Sequence, residues 1–191
     1  MKPLPFPLPL RIGTDIVHTP RISRLLNRAD YLTRFTRRIL DPQEQADFTT
    51  RFKETLALHG TSTNPPITAD MTRWLAGRFA AKEAARKAAP EGAAEIGWKD
   101  VVVRAQGGIG NKEDKSSIPE IVYWPEGRSG NPGSVGRLSI SHDGEYAFAT
   151  VLAWTGDVHS HSHPQLKGKE EKGKEKKHKG PKMEDNEDPG K

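Results

Sequence analysis

Arg137-Leu138-Ser139-Ile140-Ser141-His142 alternates apolar and polar residues, and Glu145 to Trp154 follows as a second apolar run. The first stretch has the period-two pattern of a half-buried strand. Asp143-Gly144 between the two is a hairpin-type turn, because both residues accept the backbone conformations a tight reversal needs. An antiparallel pair near the end of the chain is therefore expected. Upstream, Ile96 to Val103 and Ile118 to Trp124 also read as strands, and Arg11 to Val17 as a short one holding Asp15.

Helices cluster earlier. Thr19-Pro20 is a start signal, with Thr as N-cap and Pro as first helical residue. The pattern predicts a helix to Ile39, broken between Asn27 and Asp30. Asp41-Pro42-Gln43-Glu44 starts a second helix with a capping-box arrangement. A loop spans His59 to Ala69. Asp70 is expected to cap a third helix, Thr72 to Ala89, rich in Ala, Arg and Lys and stopped by Pro90-Glu91-Gly92. Helices first and antiparallel strands later make an α+β fold, with an antiparallel sheet packed against helices.

Composition bounds the function. Hydrophobic residues make up 34% of the 191. The last 35, Asp157 to Lys191, hold only Val158, Leu166 and Met183 from the apolar set. Without them the fraction rises to roughly 40%, ordinary for a globular domain. The expected organisation is a Pro-rich lead-in over 1–10, one domain over 11–156, and a disordered charged tail over 157–191. No cysteine is present, which excludes disulfides, thiol nucleophiles and thiolate metal sites. No run approaches the roughly 20 apolar residues of a membrane-spanning helix, so no membrane partner is expected.

Asp15 lies among Ile12, Ile16 and Val17. A carboxylate there must pair, bind a metal or bear a desolvation cost, unless it merely caps a loop at the strand end. In Phe79-Ala80-Ala81-Lys82-Glu83-Ala84-Ala85-Arg86-Lys87, Glu83 and Lys87 are four apart and share a helix face. On composition alone a solvated surface pair accounts for them. Two separated carboxylates, with waters, would suit Mg²⁺ bound to a phosphate substrate. His142 stands at a strand end with Ser139 and Ser141, where a phosphate contact or a polar edge are both open readings. His159, His161 and His163 lie in the tail without fixed geometry. Arg21, Arg24, Arg28, Arg34, Arg37 and Arg38 form a basic run in which the only acid is Asp30. An acidic protein partner or a nucleic-acid backbone would fit it.

Four segments occur in order: Gly13-Thr14-Asp15-Ile16-Val17; Arg38-Ile39-Leu40 with Glu44; Trp74-Leu-Ala-Gly-Arg-Phe-Ala-Ala-Lys-Glu-Ala-Ala-Arg-Lys87; and Leu138 to His142 before Tyr146-Ala-Phe-Ala-Thr-Val151. Together they resemble the holo-acyl-carrier-protein synthases, the short subgroup of 4'-phosphopantetheinyl transferases. G-x-D and F-x-x-K-E-A-x-x-K are the specific motifs, and the resemblance spans about Ile12 to Leu152.

The resemblance implies the fold of that family and its reaction. The phosphopantetheine arm of coenzyme A moves to a serine of an apo acyl carrier protein, releasing adenosine 3',5'-bisphosphate, with Mg²⁺ required. By resemblance Asp15 and Glu83 are metal ligands, and Asp15, Glu83 and Lys87 form the catalytic set. Arg78, Lys82, Ser139, Ser141 and His142 join them in binding coenzyme A. A water on the metal, or a carboxylate such as Glu83, would take the serine proton. The arginines Arg21, Arg24, Arg28, Arg34 and Arg38 would dock an acidic carrier protein, which favours a protein over nucleic acid as partner. A homotrimer with sites at subunit junctions is implied, because longer relatives resemble two fused copies of this unit. Long loops and an added tail suggest a eukaryotic member, with a lean to the mitochondrion over the cytoplasm. One departure stands out: Ala88-Ala-Pro-Glu-Gly-Ala-Ala94 replaces the Gly-Thr-Gly usual after the signature helix. The competing class is a non-catalytic basic module that binds acidic protein or RNA. It would have no use for a carboxylate inside a strand.

Overall fold

A computed structural model describes residue 4 and residues 6–57, 65–106, 118–124 and 133–156. The elements run β1 (Leu10–His18), α1 (Thr19–Leu26), α2 (Tyr31–Ile39), α3 (Pro42–Arg51), α4 (Lys53–Ala57), α5 (Ala69–Ala88), β2 (Val101–Ala105), β3 (Pro119–Tyr123), β4 (Ser134–Asp143) and β5 (Tyr146–Trp154). The five strands form one sheet in the order β1-β5-β4-β3-β2, antiparallel throughout. The α+β class and the hairpin are as expected. The hairpin loop is Gly144-Glu145 rather than Asp143-Gly144, since Asp143 still pairs with Tyr146 and Gly144 takes the left-handed turn at φ 50°. The tail over 157–191, with His159, His161 and His163, lies outside the described residues.

Helix boundaries follow local chemistry with two corrections. The break between α1 and α2 ends at Asp30, whose φ of 58° stops α-helical continuation. Asp41 accepts from Gln43 N and Glu44 returns to Asp41 N, completing the expected capping box. At α1 the N-cap is His18. The Thr19 hydroxyl instead donates to the Glu145 carbonyl, tying the helix start to the hairpin. At α5 the cap is Thr68, which accepts from Met71 N, so the helix starts before Asp70 and that residue falls in its first turn.

α5 sits in the middle of the fold. Ala76, Ala80, Ala81, Ala84, Ala85 and Ala88 are all fully buried. Small side chains along the helix let its backbone lie close to β1 and β5 on one side, while α1 covers another. The closest approach is at Gly13 of β1, where a Cβ would come 1.9 Å from the Ala84 carbonyl oxygen. Only glycine fits there. The Tyr123 hydroxyl adds a bond from β3 to the Ala85 carbonyl at 3.0 Å.

Candidate active site

The pleat of β1 decides where Asp15 goes. Gly13, Asp15 and Val17 share the face toward α5, while Ile12 and Ile16 point to the opposite face and are 69% and 63% exposed. Asp15 is therefore not embedded among its apolar neighbours. It stands at the edge of the sheet beside the last turn of the helix. The Lys87 ammonium donates to Asp15 Oδ1 and to the Thr14 carbonyl, both at 2.9 Å. Asp15 is mostly buried and Lys87 about half exposed.

Glu83 lies one turn before Lys87 on the same helix face. Its Oε1 accepts from Arg86 Nη1 at 2.8 Å. Among the described residues, Asp15 Oδ2 and Glu83 Oε2 carry no hydrogen bond, and no group of three or more His, Asp or Glu side chains gathers as a metal site. Two carboxylates, each with one oxygen fixed and one open, fit a hard divalent cation that takes its other ligands from phosphate and water. The donor set thus fits Mg²⁺ supplied together with a phosphate ligand.

Lys82 requires a correction. The resemblance implies a phosphate contact, but its side chain is 0% exposed. Its ammonium bonds Glu44 Oε2 at 2.6 Å, the Val101 carbonyl at 2.6 Å and the Trp98 carbonyl at 2.9 Å. Three acceptors satisfy its three donors in the core, leaving nothing for a ligand. Burial pulls its pKa down and Glu44 pulls it back up. Glu44 also accepts from Val103 N at 3.2 Å, so one carboxylate joins α3, α5 and β2. Arg78 is likewise directed elsewhere. It is five residues before Glu83, about 140° around the helix. Its guanidinium lies 3.5 Å above the Trp74 ring, with Nε 4.0 Å from Glu44. Burial lowers its pKa to about 10, against the opposing pull of Glu44 and Asp47.

His142 occupies a second location in the same chain. It packs against α5 at Gly77, where a Cβ would meet its ring at 3.2 Å. A cavity of about 350 Å³ opens there, lined by Thr19, Ser23, Thr72, Arg73, His142 and Tyr146. Burial, and then the charge of Arg73, push the imidazole pKa below 6.5. Gly77 and Lys87 are ten residues apart, about 15 Å along the helix. One chain therefore does not bring His142 to Asp15. Ser139 and Ser141 are on the opposite sheet face from His142, since 139 and 141 share a pleat and 142 does not. They pair with Thr150 and Phe148.

A model of the 4'-phosphopantetheinyl transferase superfamily matches residues 11–126. The chain belongs to that superfamily. Within it the chain is a transferase of the holo-acyl-carrier-protein synthase type. A relative from Aspergillus fumigatus, named 4'-phosphopantetheinyl transferase B, mitochondrial, is 61% identical over 158 residues, 80% of this chain and 99% of the relative. The holo-[acyl-carrier-protein] synthase of Gloeobacter violaceus is 37% identical over 142 residues, 74% of this chain and 89% of that one. The crystal structure of a Bacillus anthracis holo-(acyl-carrier-protein) synthase, in complex with CoA (3',5'-ADP), superposes with a TM-score of 0.51 at 27% identity. It covers 76% of this chain and 96% of that one. The expected eukaryotic character agrees with the fungal relative.

Two surfaces of the transferase remain. Arg21 and Arg24 on α1, Arg28 in the turn after it, and Arg34 and Arg38 on α2 are all exposed, with Arg37 beside them. On the sheet face opposite α5, Ile12 pairs with Leu152 and Ile16 with Phe148, and all four are exposed. Sequence reasoning missed Arg86, the partner of Glu83. The Glu-x-x-Arg spacing on one helix was its only signal. It also missed Glu44 as a core residue, because its partner Lys82 comes 38 positions later.

Proposed function

We propose that this transferase moves the 4'-phosphopantetheine group of coenzyme A to a serine hydroxyl of an apo acyl carrier protein, with Mg²⁺, releasing adenosine 3',5'-bisphosphate. The observation that carries this reading is the group formed by Asp15 of β1 with Glu83 and Lys87 of α5. In it, Lys87 bonds Asp15 at 2.9 Å, and each carboxylate keeps one oxygen open.

Asp15 and Glu83 would hold the cation. When bound, Mg²⁺ supplies charge neutralisation on the donor's pyrophosphate. The chain's own groups do the rest. Lys87, half exposed at the helix end, is free to turn one donor toward a phosphate oxygen, and its charge favours an anion beside two carboxylates. A water in the site, or a carboxylate such as Glu83, takes the serine proton. The serine oxygen then bonds the phosphorus next to the pantetheine, and the bridging oxygen leaves with the adenosine bisphosphate.

His142 and its cavity support a second part of the coenzyme A site, with Arg73 as a further cation facing the same space. Because they are far from Asp15 in one chain, a complete site needs two subunits. The exposed apolar strip of Ile12, Ile16, Phe148 and Leu152 supports self-association. We infer a homotrimer, whose cyclic symmetry repeats one heterologous junction three times. Ser139 and Ser141, on the same sheet face as that strip, would then reach coenzyme A only from a junction. Arg78 contributes from the same helix if its open guanidinium nitrogens meet the nucleotide of a neighbour's site. The exposed arginines of α1, α2 and the turn between them are the surface for an acidic carrier protein. Residues 11–156 are the transferase domain in this reading. The mitochondrial name of the Aspergillus relative supports a mitochondrial location over a cytoplasmic one.

The test is direct. The protein is incubated with coenzyme A, Mg²⁺ and an apo carrier protein, and the carrier is weighed by mass spectrometry. The expected result is a gain of one phosphopantetheine group, abolished by EDTA. A basic binding module would give no mass change.

A further inference from the structure

We infer that Arg86 is a positioning residue for Glu83, fixing one carboxylate oxygen so that the other is presented to the ligand; this rests on the transferase reading above.

Arg86 spends three donors on three acceptors. Nη1 bonds Glu83 Oε1 at 2.8 Å, Nε bonds the Ile96 carbonyl at 2.7 Å, and Nη2 bonds the Ala93 carbonyl at 2.6 Å. Its guanidinium also lies 5.0 Å from the Trp98 ring, which packs on Phe79 at 5.1 Å. The fork thus ties together the last turns of α5, the carboxylate of Glu83 and the segment 93–98. The Arg86 and Glu83 side chains are only 20% and 23% exposed. A surface ion pair would be worth little. This pair is anchored by two partly buried backbone carbonyls, of Ala93 and Ile96.

The consequence follows from side-chain freedom. A glutamate has three rotatable side-chain bonds, and ordering it carries an entropic cost. Arg86 imposes that order before any ligand arrives. A lysine could not replace it. Its ammonium is a single point on a flexible stem and cannot span Glu83, Ala93 and Ile96 together. The guanidinium charge opposes a cation at Glu83, but it sits on the oxygen turned away and is shared with two carbonyls. Ordering therefore outweighs repulsion.

Mn²⁺ is the probe, added to the full-length protein with saturating coenzyme A, and free Mn²⁺ is followed by electron paramagnetic resonance. R86Q should weaken Mn²⁺ binding roughly 10-fold, as loss of a group orienting a ligand does. R86K should recover little of it. E83Q and E83Q/R86Q should bind Mn²⁺ equally, because Arg86 acts through Glu83. Unchanged or tighter Mn²⁺ binding by R86Q would overturn the proposal. If R86Q does not fold, wild-type affinity in folded R86K would overturn it equally. A wild type that binds Mn²⁺ with coenzyme A yet transfers nothing to any carrier protein would refute the transferase reading and leave the Arg86 result standing.

Discussion

Gly13 of β1 and Ala84 of α5 are so close that a Cβ on Gly13 would fall 1.9 Å from the Ala84 carbonyl oxygen and 2.8 Å from Ala88 N. That contact brings Asp15, two residues on, to the helix turn that carries Lys87. The obstructing atoms are backbone and cannot rotate away. Gly13→Ala should therefore push the strand off the helix and cost about 3 kcal/mol or more of stability, at the upper end of overpacking effects. Urea denaturation measures it. A change under 1 kcal/mol would mean that β1 and α5 are spaced more widely.

The Lys82–Glu44 pair should behave as a core ion pair. Lys82→Met leaves Glu44 buried without its ammonium and should cost about 3–5 kcal/mol. Adding Glu44→Gln removes the stranded charge, while the amide oxygen still accepts from Asp41 N or Val103 N. The double variant should recover more than half of that loss. Its KM for coenzyme A should match the wild type. A large rise in that KM with stability intact would return Lys82 to the phosphate site.

Much of the fold was legible because it is written locally. The β4–β5 hairpin, the capping box at Asp41 and the break near Asp30 each depend on a few adjacent residues. Lys82 was not legible. Its burial depends on a carboxylate from α3 and carbonyls at Trp98 and Val101, which no spacing announces. α5 misleads in the same way: its Glu83 and Lys87 read as a solvated surface pair, yet the alanines from Ala76 to Ala88 are buried between sheet and helices. The division of the site was half legible. Period-two alternation already separates Ser139 and Ser141 from His142, whereas the distance of His142 from Asp15 depends on the sheet order.

His142 should make stability sensitive to mild acid. Burial and Arg73 hold its folded pKa below the unfolded 6.5. Between the two values the unfolded chain binds more protons, so stability falls as pH falls. The neutral imidazole's contribution is complete above pH 6.5 and lost as pH drops through the folded pKa. The gap in melting temperature between wild type and His142→Gln should therefore shrink from pH 7.5 to pH 5. A gap independent of pH would show that the imidazole is not held neutral.

If the site is shared between subunits, two dead variants should rescue each other. Asp15→Ala and His142→Ala proteins, mixed after dissociation and reassembled, should regain part of the wild-type rate, since some junctions combine one intact half from each. Light scattering checks the oligomer. No rescue in properly reassembled mixtures, or a fully active monomer, would place both residues in one chain's site.

The central claim is that Asp15 and Glu83 perform the transfer. The measurement is the single-turnover rate of phosphopantetheine transfer to an apo carrier protein at saturating coenzyme A and Mg²⁺, for wild type, Asp15→Ala and Glu83→Ala. Circular dichroism confirms that each variant is folded. Each substitution should cut the rate at least about 100-fold, because it removes an anionic oxygen from a hard-cation site. A folded Asp15→Ala or Glu83→Ala protein that transfers at the wild-type rate would contradict the account.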